Sequence, residues 1–406
     1  MRPRKPTEPV QSGALVVNDL PNPPAAACQI LAIAGTAVRE TARFGYDKIW
    51  PSAALPSMAQ QVTSDWLESV LGLEQGAITD VRVVDEHHGT ATRARLSLTY
   101  AIENSGPATV FLKLAPADLG GRLFMNAVGL GARETLVYGR VLPELGALAP
   151  QVLAAHWDPR RGRGVLVLED LAARGCQLAS ITSACTADQA GQVIDTLAGL
   201  HAAFWGCSRF TSDLSALSTR NDVSTRRAGP IVAKLLQRRI AGVPDDVRTA
   251  SSVLVTRRKE FDSFWDREAV TLIHSDTHLG NIFFNPAGTA GLLDWQVATQ
   301  GPPMHDVAYF VLSSLPAGTA RSLERELLDR YRRRLSAAGG PELDAGDLWD
   351  LYRAAAVRYF VGIAVTAMFG TKLQPQDIVQ TGVERAVAAV RDLESFEILA
   401  RLADRM

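Results

Sequence analysis

The sequence predicts an α+β chain in two lobes: a five-stranded antiparallel sheet with one inserted helix, then a mainly helical half. Three observations predict it. Apolar residues alternate with period two in short runs between residues 77 and 170, the pattern of half-buried strands. From Thr186 onward they recur at three- and four-residue spacing, as on one face of a helix. Inside that helical half sits a polar cluster at residues 273–296, I-H-S-D-T-H-L-G-N-I-F-F-N-P-A-G-T-A-G-L-L-D-W-Q, set among short apolar runs.

Taken in order, residues 1–27 are proline-rich, with P-N-P-P at 21–24, and read as a tail or surface strap. Residues 28–75 read as helical. Ile30, Ile33 and Val38 mark one face, and Asp65, Trp66, Leu67, Val70 and Leu71 mark a second, short helix. Strands follow at A-I-T-D-V-R-V-V-D-E, R-A-R-L-S-L-T-Y-A and A-T-V-F-L-K-L-A, the last two joined by a turn at Asn104, Ser105, Gly106 and Pro107. In the third strand Val110, Leu112 and Leu114 share a face, so Lys113 projects from the other beside Phe111. A lysine in mid-strand is most often simply solvated, unless a negative group lies near.

A-R-E-T-L-V-Y-G-R-V-L at 132–142 predicts the inserted helix, with Glu134 and Tyr138 one turn apart. Two more strands are expected near 151–156 and 164–170, joined by D-P-R-R-G-R-G. Thr186 and Gln189 then form a capping box, and Val193, Leu197, Leu200 and Phe204 line one face of a helix that Gly206 ends. Residues 315–406 return to amphipathic helices, and no repeat occurs. The expected organisation is a partly helical extension over 1–60, a sheet lobe over 61–170 and a helical lobe over 171–406.

Composition narrows the partners. Apolar residues are 47% of the 406, enough for a substantial core. Lys plus Arg is 42 against 43 Asp plus Glu, a balance that gives no electrostatic case for nucleic acid. Cys28, Cys176, Cys185 and Cys207 form no C-x-x-C pair and read as reduced structural thiols. Arg2, Arg4 and Lys5 are not followed at once by an apolar run, so no signal peptide is expected, and no apolar run is long enough to span a bilayer. The expectation is a cytoplasmic protein with no membrane partner; nothing specifies its oligomeric state.

In the polar cluster Asp276 and Asn281 lie on a loop between apolar strands, and Asp294 closes the next strand. A hairpin there brings Asp294 back beside Asn281. One aspartate and one asparagine oxygen suit Mg²⁺, a hard cation that completes its shell with water and phosphate oxygens. Asp276 is then left to orient or deprotonate a hydroxyl. That set is what phosphoryl transfer requires. Two readings compete. His274, Asp276, His278 and the adjacent His305-Asp306 pair can be drawn as a two-metal phosphohydrolase. Turn residues and satisfied core histidines explain each polar group singly, but not their spacing.

H-S-D-T-H-L-G-N followed by L-L-D-W-Q resembles the H-x-D-x-x-x-x-N and D-F/W-x signatures of the aminoglycoside phosphotransferase and choline kinase superfamily. Asp-Trp-Gln resembles the ecdysteroid-kinase-like branch in particular. V-L-V-L-E-D-L is similar to that group's hinge, L-A-G-L-H-A-A-F-W to its long helix, and G-P-P-M-H-D-V-A-Y-F to its P-x-x-D segment. The likeness spans roughly residues 60–370, and each motif is weak alone. It implies a two-lobed protein-kinase-like fold and transfer of a phosphoryl group from ATP, or GTP, to a hydroxyl of a small molecule. Carried over by position, Asp276 is the catalytic base, and Asn281 and Asp294 hold Mg²⁺. Lys113 grips the α- and β-phosphates, with Glu134 as its partner. Backbone groups from Glu169 to Leu171 meet the purine, Asp306 accepts N–H bonds from the catalytic loop, and His274 braces that loop. His278 has no assigned role.

Three departures stand out. The phosphate loop H-H-G-T-A-T-R has a single glycine, Gly89, with Thr90 and Thr92 as further candidate donors. That thin loop motivates an alternative, a nucleotide-binding pseudokinase scaffold; the complete set of acid and metal ligands opposes it. Ser275 stands where protein kinases have an arginine, and no long activation segment follows Asp294. For the acceptor, residues 315–406 carry 13 acidic and 13 basic groups, no excess for a polycation. Trp349, Tyr352, Tyr359, Phe360 and Phe369 offer an apolar wall if they are not core, which points to a neutral or weakly charged, partly apolar alcohol.

Overall fold

The computed structural model describes residues 23–50, 52, 55–89, 91–218, 240–368 and 375–405, with the side chains of the first helix from residue 37 onward. Thr90 and Phe369 therefore lie outside the described residues.

Helix α1 (Pro23–Ile49) precedes the sheet lobe. Val38 on it is 71% exposed and does not pack; the side chains of Ile30 and Ile33, the rest of the expected face, lie outside the described residues. Helix α1 is tied down by charge: Asp47 receives Arg122, Arg161 and Arg163 at 2.7, 2.5 and 2.9 Å. Helix α2 (Ser64–Leu71) starts where Thr63 accepts the Trp66 N–H and stops at Gly72, whose φ of 68° only glycine adopts readily. Its buried Glu68 accepts the N–H groups of Gly76 and Ile78 and so fixes the turn into the sheet.

The sheet has five antiparallel strands, as the alternation predicts: β1 (Ile78–His88), β2 (Thr92–Tyr100), β3 (Thr109–Leu114), β4 (Val152–Asp158) and β5 (Arg163–Glu169), in the order β1-β2-β3-β5-β4. Period two then sorts the side chains. Ala94, Leu96, Leu98, Val110, Leu112 and Leu114 enter the sheet lobe's core, which leaves Arg93, Arg95, Phe111 and Lys113 on the face toward the second lobe. The insertion after β3 is richer than the one helix expected. Helix α3 (Leu119–Ala127) comes first, capped by Asp118, and turns at Gly129 (φ 71°) into α4 (Leu130–Arg140), with a short turn α5 (Leu142–Leu145) behind it. The two glycines at 120 and 121 hide α3 in the sequence, because they lower its intrinsic helix propensity.

The second lobe is built on α6 (Ala187–Phe204), which opens with the expected Thr186–Gln189 capping box. Helices Met304–Ser314 and Ala317–Ala337 pack on it, Ala345–Met368 and Gln376–Asp392 pack on those two, and Ser395–Asp404 packs on Ala345–Met368. By length and composition Ala345–Met368 could cross a membrane, but here it is a core helix between Met304–Ser314 and Gln376–Asp392. Tyr352, Tyr359 and Phe360 on it are buried, so they serve the core and not an open wall, while Trp349 stacks on Tyr352 at 5.6 Å. The thiols of Cys176, Cys185 and Cys207 are free.

Short strands interrupt the helices where the sequence places them. Strand β6 (Gln177–Leu178) pairs with β8 (Ile282–Phe284), and β8 pairs with β9 (Ala290–Leu292); β7 (Thr271–Ile273) pairs with β10 (Thr299–Gly301). The β8–β9 hairpin needs a glycine at 291. A Cβ there would meet the ring of its cross-strand neighbour, the fully buried Phe283, at 2.1 Å. Gly291→Ala is therefore expected to overpack the hairpin and lower stability by about 1–3 kcal/mol; a denaturation midpoint equal to that of the parent chain would contradict this packing.

Candidate active site

Three elements supply the site, and each is aimed by its own local rules. Strand β3 presents Lys113 and Phe111 to the cleft, and β2 presents Arg93 and Arg95; register places Arg93 directly opposite Lys113. Helix α4 presents the buried Glu134. The loop between β7 and β8 carries Asp276 and Asn281, and the turn after β9 carries Asp294. A bond from the Leu293 N–H to the Asn281 carbonyl (2.8 Å) closes that hairpin, so the expected juxtaposition of Asn281 and Asp294 is present.

These groups form two sets of contacts, joined by that Leu293–Asn281 bond. Lys113 Nζ donates to Glu134 Oε1 at 2.5 Å and to Asp294 Oδ1 at 2.8 Å. Asn281 Nδ2 donates to the Asp276 carbonyl at 2.9 Å and to its Oδ2 at 3.1 Å. The sheet lobe's lysine and the second lobe's oxygens thus converge on one cleft of about 150 Å³, whose apolar part is formed by Phe111, Leu168, Leu171, Leu178 and Leu293. The negative neighbour that Lys113 needs is there twice over, and the solvated reading of this lysine is excluded.

Burial alone would neutralise these charges, and their pairing reverses that. Desolvation raises the Asp294 carboxyl, but Lys113 and Arg93 outweigh it and hold it down at about 2. Desolvation lowers the Lys113 ammonium, yet Asp294 and Glu134 raise it above its usual value. Glu134 is pushed up to about 7, first by burial and then by the charge of Asp294, against the pull of Lys113. Asp294 is thus held ionised by the two cations beside it.

Asp306 organises the loop from behind. Its carboxylate accepts the His274 N–H at 2.6 Å and the Ser275 N–H at 2.7 Å, and its carbonyl accepts the Thr277 hydroxyl at 2.8 Å. His274 donates from Nε2 to the Leu293 carbonyl at 2.7 Å and accepts the Asp276 N–H on Nδ1 at 3.3 Å, so it ties the loop to the turn that carries Asp294. Its ring packs on Trp295 at 4.7 Å. His201 on α6 backs Asp306 at 3.4 Å and is itself held by the Tyr331 hydroxyl at 2.9 Å. With both His274 nitrogens engaged, and His305 turned into the core against Trp265 at 4.5 Å, the two-metal arrangement drawn from these histidines does not form. Among the described residues no group of three or more His, Cys, Asp or Glu has metal-binding geometry. Ser275 (φ 71°) and Asp294 (φ 61°) are two of only four described non-glycine residues in the left-handed region, a cost that surrounding structure must hold in place.

Other expectations fare unevenly. Gly89 sits at the β1–β2 turn, its N–H bonded to the Ala91 carbonyl at 3.2 Å. Thr92 faces the wrong way for phosphate: it is buried on the core side of β2, with its hydroxyl 3.3 Å from His88 Nδ1. At the hinge, the Glu169 N–H already goes to the Gln151 carbonyl at 3.0 Å, and its carboxylate takes the Gln151 N–H and Arg174. The Leu171 N–H has no protein partner among the described residues, so of the three hinge residues it is the open donor. His278, without a role in the sequence, lies with Nε2 3.6 Å from Asp276 Oδ2 and has a buried Nδ1 with no partner. Three neighbours were not legible beforehand. Arg93 binds Asp294 Oδ2 at 2.7 Å. Arg95 reaches Asp170 at 3.0 Å. The Tyr309 phenol is pushed well above its usual value by burial and by its hydrogen bond to Asp276. Alternation put Arg93 and Arg95 on the Lys113 face, and that signal was available; nothing local connects Tyr309 to Asp276.

Comparison with known proteins places this architecture. A model of the ecdysteroid kinase-like family matches residues 84–339, more than half of the chain. The chain belongs to that family. No curated protein sequence matches it significantly. Among solved structures, an ethanolamine kinase of Plasmodium vivax superposes with a TM-score of 0.51 at 13% identity, over 78% of this chain and 83% of that one. The choline kinase LicA of Streptococcus pneumoniae gives 0.48 at 15% over 81% and 97%. A spectinomycin phosphotransferase in complex with ADP and spectinomycin gives 0.46 at 14% over 81% and 98%. In this ecdysteroid kinase-like chain the sheet with its inserted helices and the helical lobe are the two-lobed, protein-kinase-like arrangement.

Because Asp306 is fully buried and holds two N–H groups of the loop, Asp306→Ala strands both donors and should cost about 3–5 kcal/mol. Asp306→Asn keeps one acceptor oxygen and should cost less. Equal denaturation midpoints for Asp306→Ala and the parent would refute the bracing role.

Proposed function

We propose that this ecdysteroid kinase-like chain is a magnesium- and nucleotide-dependent phosphotransferase that phosphorylates a hydroxyl of a small molecule. The observation that carries the reading is the run of contacts from Glu134 through Lys113 to Asp294, which the Leu293–Asn281 backbone bond joins to Asn281 and Asp276, beside a cleft with an apolar slot. The purine of ATP, or of GTP, fits that slot, with the open Leu171 N–H as its hinge donor. Lys113 then lies where the α- and β-phosphates emerge, and Glu134 keeps its ammonium charged and aimed.

The residues suit Mg²⁺. Asn281 spends its Nδ2 on Asp276, which leaves Oδ1 without a protein donor among the described residues, and Asp294 is a carboxylate held ionised. Two hard oxygens on one hairpin, with phosphate and water completing the shell, are what this cation accepts. A magnesium ion bound there would neutralise charge on the transferring phosphoryl group. Asp276 acts on the acceptor: it is partly open to solvent, oriented by the Asn281 amide and the Tyr309 hydroxyl, and so placed to receive the proton of an attacking alcohol. Among the described residues the groups beside it are a phenol and an imidazole, not a bank of carboxylates, which supports a neutral or weakly charged, partly apolar alcohol as the acceptor.

The test is Asp276→Ala in a screen of hydroxylated metabolites and antibiotics with ATP or GTP and Mg²⁺. Transfer should fall by about 10²–10⁴, the usual loss for a positioned base, while nucleotide binding stays within a few-fold. Undiminished turnover in Asp276→Ala would remove the assignment.

A further inference from the structure

Arg93 and Arg95 are cleft cations that the phosphotransferase reading leaves without work, and Arg95 is already held by Asp85 and Asp170. Arg93 faces Lys113 across the β2–β3 ladder, and the two take opposite oxygens of one carboxylate: Lys113 binds Asp294 Oδ1 at 2.8 Å and Arg93 binds Oδ2 at 2.7 Å. They differ in what else they hold. Lys113 has Glu134 as a second anion and is buried, whereas Arg93 has only Asp294 among the described residues and is 43% exposed at the cleft mouth. In the segment that would otherwise hold the distal phosphates Gly89 is the single glycine, and among the described residues the Thr92 hydroxyl turns to the core.

We propose that Arg93 is a phosphate-gripping residue that exchanges partners: it holds the Asp294 carboxylate when the cleft is empty and the triphosphate when Asp294 is given to the metal. This rests on the phosphotransferase reading. The charge count drives it. Lys113, Arg93, Glu134 and Asp294 sum to zero, so a metal ion taking Asp294 leaves Arg93 without its counter-ion beside an incoming polyanion. A guanidinium stripped of its carboxylate in a half-buried site must find another anion, and a planar fork of N–H donors matches phosphate oxygens two at a time. Asp294 is the carboxylate that would hold the metal, whose charge would serve the transferring end of the triphosphate. Arg93, in contact with that carboxylate, is therefore matched to the β/γ end and not to the first phosphate. No covalent step is involved; Arg93 releases one anion and binds another.

The experiment is calorimetric titration of the full chain and Arg93→Gln with ATP and with AMP in Mg²⁺ at fixed ionic strength, or with GTP and GMP if the guanine nucleotide binds more tightly. Arg93→Gln should weaken ATP by about 10- to 100-fold, the loss of a charged fork on phosphate, and leave AMP within about two-fold. Equal loss for both nucleotides, or none, overturns the proposal and confines Arg93 to bracing Asp294. If Arg93→Gln does not fold, Arg93→Lys serves the same comparison. It keeps the ion pair but offers no fork, so the ATP-to-AMP affinity ratio should fall several-fold; an unchanged ratio overturns the proposal. A parent chain that binds neither nucleotide overturns the phosphotransferase reading itself, a result distinct from either variant's.

Discussion

The structure depends on one buried ammonium. Lys113 comes from the sheet and spans the cleft to a carboxylate of the opposite lobe, with Glu134 of the inserted helix on its other side. Unpaired, a buried lysine costs several kcal/mol; with two carboxylates it stays charged, and its pair with Asp294 links the lobes at the point where a nucleotide would enter. That link constrains everything around it. Helix α4 must bring Glu134 to one place, β9 must end at Asp294, and both must meet a lysine set by strand alternation.

Behind this bridge lies a second centre, which carries no exposed chemistry. Asp306 gathers the loop's N–H groups, His274 joins that loop to the turn of Asp294, and His201 with Tyr331 supports Asp306 from the long helix. Ser275 and Asp294 stand in backbone conformations that L-residues avoid, and this network is what keeps them there. Rigidity at the loop and exposure at Asp276 are two sides of the same arrangement: the backbone is fixed so that one carboxylate can be left partly open.

Much of this was legible in the sequence, for physical reasons that differ by element. The alternation in V-F-L-K-L fixes which face Lys113 takes, because side chains of a strand have no other option. The hairpin uniting Asn281 with Asp294 is legible because polar residues at strand ends with P-A-G-T between them leave few ways to turn. Helix α3 was not legible, since paired glycines mask it, and Thr92 was misread as a cleft donor because alternation was not carried one strand back. The knot of three arginines on Asp47 that ties α1 down is a contact between segments more than seventy residues apart that no local pattern encodes.

By itself the sequence determined the order of elements, the face each strand residue takes, and the groups able to serve in phosphoryl transfer, because these follow from periodicities of two and 3.6 and from the chemistry of single side chains. Only the tertiary structure decided which charges share a partner: that Asp294 is held by both Lys113 and Arg93, that Tyr309 meets Asp276, and that His274 is spent on the backbone. Electrostatic energy depends on distance and burial, and neither is a property of position along the chain.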